Sequence, residues 1–158
     1  MIQDVEGDIF DAEVDALVNP VNCVGVMGAG LARRFKDAYP TNYLIYRDAC
    51  RNGLVTPGRV LSWKHPVKDL RIFNFPTKLD WRDPSQPEYI ERGLASLVFT
   101  VEELDIRSIA IPQLGCGLGG LDWSDVRPMI VAAFDRVPSA FDVRVLLYTP
   151  GVVMAGSR

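Results

Sequence analysis

The chain has 158 residues, of which 48% are hydrophobic and 23% are charged, and its formal net charge at pH 7 is −3. This size and composition are typical of one globular domain and exclude an intrinsically disordered chain. The negative net charge argues against a protein that holds long stretches of nucleic acid through a basic face, but it leaves room for a short, local nucleic-acid contact.

The cysteine and histidine content limits the chemistry that the chain can support. Cys23, Cys50 and Cys116 have no metal-ligand spacing and cannot all pair, which favours a reducing cytosol. With His65 as the single histidine, a zinc site or a Ser-His-Asp triad would be hard to assemble. No apolar run reaches the length of a membrane span, and the acidic N-terminus is unlike a signal peptide. We therefore expect a cytoplasmic protein without membrane association, metal or cofactor.

Apolar runs of strand length alternate with segments of helical periodicity along the chain. In chain order, the sequence predicts a strand at 15–22, a helix at 29–40 that Pro40 ends, a helix at 41–53 with Thr41 as N-cap and Gly53 as terminator, strands at 58–64 and 70–76 joined by a turn, a long helix at 87–105, a strand at 106–115, a helix at about 123–136 and a final strand at 142–149. This alternation predicts a layered α/β domain with a mostly parallel sheet and helices on both faces.

Two glycine clusters follow predicted strands, "GVMGAG" at 25–30 and "GCGLGG" at 115–120. In parallel α/β sheets, ligands bind at the carboxyl ends of the strands, where loops lead into helices. Glycine lets a ligand approach the main chain closely, so two such loops facing each other would form a cleft lined with N–H donors. Such a cleft suits an anion, above all a diphosphate.

Either cluster alone could equally be a tight turn, because glycine-rich loops at strand ends are common. Neither cluster matches the P-loop, which needs Lys and Ser or Thr after its last glycine. Neither matches the Rossmann pattern G-x-G-x-x-G, and the acidic residue expected on a following strand is absent. The presence of both clusters favours a bound nucleotide, but their spacing identifies no particular one.

Three segments together resemble the macrodomain family, and within it the branch of the DNA ADP-ribosyl glycohydrolase (DarG) antitoxins: "VEGDIFDAEVDALVNPVNCVGVMGAGLARRFKDAYP", "IFNFPTKLDWR" and "IPQLGCGLGGLDW". The resemblance runs from Ile2 to about Pro150 and implies a three-layer α/β/α fold with a central mixed, mostly parallel sheet. It implies that residues 1–150 are a single macrodomain, and we expect residues 151–158 to be a tail, either where a longer protein was truncated or the end of a minimal form. The branch carries a further domain that contacts a cognate ADP-ribosyltransferase toxin.

The resemblance implies an ADP-ribose site. Asp8 would accept a hydrogen bond from the adenine amino group beside the backbone of Ile9, although on its own it is more typical of a turn or helix cap. Asn22 would face the distal ribose, with an Asx turn as the alternative. The remaining implied contacts, mostly through main-chain N–H groups around the diphosphate and ribose, involve Gly28, Gly30, Leu31, Thr77, Gly115, Cys116, Gly117, Leu118 and Gly119. Cys116 is expected to be a packing residue and not a nucleophile.

The resemblance further implies that Lys78 is the catalytic residue, together with Asn22, although a lysine in a polar loop is usually only solvated. Lys78 follows Pro76 at the end of a predicted strand, so its ammonium could extend over the cleft. Cleavage of an N-glycosidic bond develops positive charge on the sugar carbon and negative charge on the departing base. A cation beside the base would stabilise its departure, and a lysine amine that has lost its proton could instead attack the anomeric carbon. The sequence leaves both roles open.

The second glycine loop departs from the branch that releases ADP-ribose from protein glutamates. That branch carries a catalytic aspartate after "GCGL", where this chain has Gly119 and Gly120. Asp122 is as compatible with capping the following helix as with catalysis. The missing carboxylate suggests a leaving group that does not need the same proton transfer, as expected for an imide nitrogen of thymine, whose conjugate base is delocalised. The expected substrate is therefore ADP-ribosylated thymidine in single-stranded DNA.

Contact with DNA is expected at the residues that follow Lys78. Trp81 and Arg82 could stack on an unpaired base, although Trp81 is equally compatible with packing at the rim. Met27 could contact the base, although a core position suits it better. Two other functions remain open: an enzyme that releases ADP-ribose from protein side chains, and a non-catalytic ADP-ribose-binding module.

Overall fold

The computed structural model describes residues 1–138 and 142–150. Six strands form one sheet: β1 (Ile2–Glu6), β2 (Ala16–Val21), β3 (Leu61–Lys64), β4 (Arg71–Pro76), β5 (Ser108–Ile111) and β6 (Arg144–Thr149). Their order across the sheet is β1-β6-β5-β2-β4-β3. Neighbouring strands are parallel except for the β3–β4 pair, which is antiparallel. The predicted tail at 151–158 lies outside the described residues.

Four α-helices cover the two faces of this sheet: α1 (Gly30–Ala38), α2 (Pro40–Arg51), α3 (Pro87–Glu103) and α4 (Trp123–Asp135). Helices α3 and α4 pack on one face, and α1 and α2 on the other. Two one-turn 3-10 helices, Ile9–Asp11 and Gly117–Gly119, lie in loops. The predicted α/β/α fold is confirmed. Within the described part of the chain, every helix is too short or too polar to cross a membrane.

Strand β2 shows why the chain forms this layered arrangement. Its side chains alternate between the two faces, with Ala16 and Val18 packing toward α3 and α4 and Leu17 packing toward α1. All three are at most 2% exposed. A strand covered on both faces is apolar along nearly its whole length, which is typical of parallel sheets between helices.

The boundary between α1 and α2 differs from the prediction. Pro40 was expected to end a helix and Thr41 to cap the next, but Pro40 is the first residue of α2 and Tyr39 is its N-cap. Proline is favoured at the first helical position because its missing N–H would have no intrahelical partner there. The sequence analysis also missed β1, whose short edge position gives it a weak apolar pattern.

The parallel register brings the site-bearing loops to one edge of the sheet. Strands β2 and β4 end together, with Val21 paired to Pro76. Strand β5 lies on the other side of β2. The loop after β2, the segment after β4 and the loop after β5 therefore leave the sheet next to one another.

Candidate active site

The first loop runs from Asn22 to the start of α1 and is organised by the Asn22 side chain. The Asn22 Oδ1 accepts hydrogen bonds from the N–H groups of Val24 (3.1 Å) and Val26 (3.4 Å), and its Nδ2 donates to the carbonyl of Val26 at 2.8 Å. This is the Asx-turn alternative, in a residue that is only 6% exposed. A contact between Asn22 and a ribose stays a prediction.

The end of the first loop presents free amides. Gly28 and Gly30 are exposed, and Ala29 caps α1 without a side-chain hydrogen bond. In the part of the chain that the structure describes, the N–H groups of Gly30, Leu31 and Ala32 have no acceptor. Unpaired N–H groups at a helix N-terminus carry partial positive charge and bind anions.

The second loop is shaped by a turn at Gly115. This glycine has φ +72°, and a Cβ added to it would lie 2.7 Å from Leu121 Cδ1. Only glycine combines that backbone conformation with such a close approach. The Leu121 N–H donates to the Gly115 carbonyl at 3.0 Å and closes the loop.

Part of the donor capacity of the second loop is used internally. The N–H of Cys116 donates to the Gln113 carbonyl at 3.1 Å, and that of Gly119 donates to the Cys116 carbonyl at 3.3 Å. The N–H groups of Gly117 and Leu118 donate to no residue that the structure describes. These two amides are the ones best placed for a ligand.

The two glycine loops face each other. A Cβ added to Gly30 would lie 3.5 Å from Cδ1 of Leu118, whose side chain is 76% exposed. The free amides at the start of α1 and those of the second loop therefore border the same groove. Two sets of main-chain donors on opposite walls suit the two phosphates of a diphosphate.

The lysine segment, residues 77–85, bridges the two loops. Beyond β4, Thr77 donates its N–H to the Val21 carbonyl and Cys23 donates its N–H to the Leu79 carbonyl, both at 2.9 Å. At the other end, Ser85 donates its N–H to the Gly119 carbonyl at 2.9 Å. The segment is thus hydrogen bonded to the first loop near its start and to the second loop at its end.

Lys78 lies at the start of this segment and is partly exposed. Its carbonyl accepts a hydrogen bond from the Cys23 thiol at 3.5 Å, which anchors its backbone to the first loop. Its ammonium forms no ion pair with any residue in the described ranges. The structure thus ties the backbone of Lys78 to the first loop, and a contact of its ammonium with a ligand stays a prediction.

Asp80, Trp81 and Arg82 form a compact turn on the outer side of the lysine segment. Asp80 accepts bonds at 2.9 Å from the Nε, the Nη2 and the backbone N–H of Arg82. These hydrogen bonds lower the pKa of the Asp80 carboxyl from 3.8 to about 2. The Arg82 guanidinium lies 5.3 Å from the ring centroid of Trp81, which is 56% exposed. The turn therefore presents an aromatic face to solvent.

Asp8 makes two contacts, one with the 3-10 helix after β1 and one with α1. Its Oδ1 accepts the N–H of Phe10 at 3.0 Å, which caps the 3-10 helix that begins at the buried Ile9. Its Oδ2 forms an ion pair with Arg34 at 2.6 Å. The hydrogen bond from Arg34 lowers the pKa of the Asp8 carboxyl. The capping alternative is thus present, and a contact with adenine stays a prediction.

Three further sequence-predicted residues have packing or capping roles. Met27 is 1% exposed, which fits the core position and not contact with a base. Burial raises the pKa of the Cys116 thiol, so it is protonated at neutral pH and a poor nucleophile. Asp122 caps α4 by accepting the N–H of Ser124 at 2.9 Å.

Sequence analysis missed two residues that shape this site. Ser85 ties the lysine segment to the second loop, but a serine in a polar stretch carries no sequence signal. Tyr46 lies within the predicted helix at 41–53 and carries no sequence signal of a role in the site, yet its hydroxyl bonds to both the side chain and the backbone of Asn22.

Comparison with known proteins places this groove in a family. The model of the Macro domain matches residues 18–130. A curated DNA ADP-ribosyl glycohydrolase of Mycobacterium tuberculosis is 46% identical over 160 residues, which span all of this chain and 44% of the relative. One of Thermus aquaticus is 47% identical over 152 residues, which span 95% of this chain and 41% of the relative. The chain thus spans less than half the length of these curated relatives.

Solved structures give the same result. The macrodomain of Mycobacterium tuberculosis DarG superposes with a TM-score of 0.90 at 44% identity, covering 96% of this chain and 99% of that one. Thermosipho africanus DarTG in complex with ADP-ribose gives a TM-score of 0.84 at 35% identity, covering 92% of this chain and 41% of that one. The chain belongs to the macrodomain family, in the branch of the DarG macrodomains.

Proposed function

We propose that this domain is a glycohydrolase that removes ADP-ribose from thymine bases in single-stranded DNA. The observation that carries the proposal is the hydrogen bonding of the lysine segment to both glycine loops, through Cys23 and Ser85. The loops offer amides for a diphosphate, and the backbone of Lys78 is hydrogen bonded to the first loop, so we propose that its unpaired amine extends into the same groove. Relatives named DNA ADP-ribosyl glycohydrolase, 46% and 47% identical, support this assignment.

The reaction breaks the bond between the anomeric carbon of the distal ribose and a ring nitrogen of thymine. The bonding electrons leave with the base, and the sugar carbon gains oxocarbenium character. Water supplies a hydroxyl to that carbon and a proton to the base. The Lys78 ammonium would stabilise the departing anion, or its neutral amine would attack the carbon and form a bond that water later hydrolyses.

The composition of the second loop favours a base over a protein side chain as leaving group. Residues 115–121 contain no carboxylate, and the neighbouring Asp122 is engaged in capping α4. An ester of a protein glutamate would have no general acid or base from this loop. The anion of an imide is delocalised over its carbonyl groups, so a cation beside the base can stabilise its departure without a carboxylate from this loop.

A cognate transferase toxin is part of the proposal. A relative from Thermosipho africanus is named a DNA ADP-ribosyl transferase-DNA ADP-ribosyl glycohydrolase fusion protein and is 36% identical over 163 residues. We propose that this domain likewise reverses the modification made by such a transferase and so acts as an antitoxin in the cytoplasm. The three free thiols fit that reducing compartment.

The direct test uses two substrates with one protein preparation. A single-stranded oligonucleotide carrying ADP-ribosyl thymidine and a peptide carrying ADP-ribosyl glutamate are incubated with the domain, and released ADP-ribose is quantified. We expect release from the oligonucleotide and little from the peptide. Release from the peptide alone would make the domain a protein hydrolase, and tight ADP-ribose binding with no release from either would make it a binding module.

Trp81 should contribute to binding the DNA part of the substrate. Its exposed ring, supported by Arg82, can stack on an unpaired base, and such stacking contributes about 1–3 kcal/mol per base. Trp81→Ala should therefore weaken binding of the modified oligonucleotide by about 5- to 100-fold and leave binding of free ADP-ribose unchanged. Fluorescence anisotropy and calorimetry measure the two affinities.

Phe99→Ala provides the matched control, because Phe99 is a 66% exposed aromatic residue on α3, outside the groove. Equal affinities of wild type and Trp81→Ala for the modified oligonucleotide would assign Trp81 to rim packing.

A further inference from the structure

Tyr46 is a buried residue of α2 whose hydroxyl points at the start of the first loop. It is 0% exposed and lies in a cluster with Val21 and Met27. Its hydroxyl lies 2.7 Å from Asn22 Oδ1 and 2.8 Å from the Asn22 carbonyl oxygen. Burial raises the pKa of Tyr46, so the hydroxyl remains a hydrogen-bond donor throughout the physiological pH range.

The Tyr46 hydroxyl contacts Asn22, whose side chain organises the first loop. Asn22 Oδ1 also accepts the N–H groups of Val24 and Val26, so the Tyr46 donor completes the set of partners around that oxygen. Its second acceptor, the Asn22 carbonyl, is where the chain leaves β2. The one proton of the Tyr46 hydroxyl is shared between these two oxygens, so the hydroxyl stabilises the orientation of the Asn22 carboxamide relative to the main chain.

The same position is coupled to the lysine segment. Cys23, directly after Asn22, donates its N–H to the Leu79 carbonyl at 2.9 Å, and its thiol donates to the Lys78 carbonyl at 3.5 Å. A change in the path of the chain at Asn22 therefore moves the backbone next to Lys78. The amides at the start of α1 are held separately, because the buried Met27 anchors the far half of the loop.

We propose that Tyr46 is a positioning residue, which through Asn22 aligns the first loop and the Lys78 amine with the distal ribose. This inference rests on the proposed function, since it concerns the same cleavage. It separates two roles within one loop: the half anchored by Met27 binds the diphosphate, and the half anchored by Tyr46 aligns the reacting groups. Tyr46 itself touches no reacting atom.

Tyr46→Phe tests this inference, because it removes the hydroxyl and keeps the ring that fills the core. We expect kcat on the modified oligonucleotide to fall about tenfold, as for one lost hydrogen bond, while KM and the Kd of ADP-ribose change less than about threefold. The rates are measured well below the melting temperature of the variant. A residue with a merely structural role would lower that temperature and leave kcat unchanged.

Two further measurements make the outcome decisive. In the Asn22→Ala background, Tyr46→Phe should lower kcat by clearly less than tenfold, because only the hydrogen bond to the Asn22 backbone carbonyl is left to lose. Tyr39→Phe is the control: its hydroxyl donates to no residue in the described ranges, and its ring packs with Phe10 and Phe35 and makes no hydrogen bond to Asn22.

An NMR readout separates failure of this inference from failure of the proposed function. Tyr46→Phe should shift the amide signals of Val24, Val26 and Leu79, and Tyr39→Phe should not. If wild type releases no ADP-ribose from DNA, the proposed function fails and these amide signals alone decide the inference. An unchanged kcat in an active enzyme, or unchanged signals at these three amides, would overturn the positioning role.

Discussion

Lys78→Ala is expected to lower the release of ADP-ribose from the modified oligonucleotide by at least about 100-fold, while the affinity for free ADP-ribose stays within a few-fold. Under the proposed function, the diphosphate is bound by main-chain amides that the substitution leaves in place. Arg82, the other cation of the lysine segment, is paired with Asp80, so the substitution removes the unpaired cation that would stabilise the departing base. Removing one preorganised electrostatic group from an active site commonly costs about 100- to 1,000-fold in rate. Single-turnover assays and calorimetry measure the two quantities.

Lys78→Arg separates the two chemical roles of the lysine. A guanidinium keeps the positive charge but does not act as a nucleophile at neutral pH, so partial activity would favour electrostatic stabilisation and complete loss would favour attack by the amine. Lys68→Ala is the matched control, since Lys68 is exposed in the turn between β3 and β4. Wild-type rates from Lys78→Ala would refute its catalytic role.

Gly93→Ala should destabilise the fold by about 1–3 kcal/mol, although alanine is the better helix former by about 1 kcal/mol. Gly93 lies in α3 where the helix crosses β4, and an added Cβ would lie 2.3 Å from Cζ of Phe75. Phe75 is 0% exposed and has no room to retreat. Urea denaturation of the variant and of wild type gives the difference in the free energy of unfolding.

The contact with Phe75 is tested by a second substitution. In a Phe75→Leu background the ring is gone, so Gly93→Ala should become neutral or stabilising through its helix propensity. Equal destabilisation in both backgrounds would show that the close approach of α3 to β4 is not the cause. This approach also fixes the end of β4, from which Thr77 and Lys78 leave the sheet.

Much of the architecture followed from periodic patterns. Strands β2, β4, β5 and β6 and helices α3 and α4 were predicted because each buries a continuous or regularly spaced set of apolar side chains. Strand β1 was missed because its burial is irregular, and the start of α2 was misplaced because Pro40 is compatible with both ending and beginning a helix. Local patterns fix the type of an element better than its ends.

The candidate site was only partly accessible from the sequence. The two loops were predicted from their glycine clusters, because glycine has a high conformational entropy cost inside helices and strands. Lys78 was predicted from the resemblance to the family. The contacts that join these parts involve residues distant in sequence, such as the hydrogen bonds from Cys23 to Leu79 and from Ser85 to Gly119. No local pattern encodes such pairs, because they depend on the register of β2 and β4 and on the order of the strands.

The attachment of the lysine segment to both loops has a consequence for selectivity. Every nucleotide of a DNA strand contains a glycosidic bond, and an enzyme that hydrolysed those bonds would leave abasic sites in the genome. Under the proposed function, the hydrogen bonds of the lysine segment hold the Lys78 backbone beside the loops that receive the two phosphates, and the Lys78 amine reaches only as far as its side chain extends from there. It therefore meets the sugar at the end of a pyrophosphate and is held away from the deoxyriboses, so the groove that binds the modification also protects the strand that carries it.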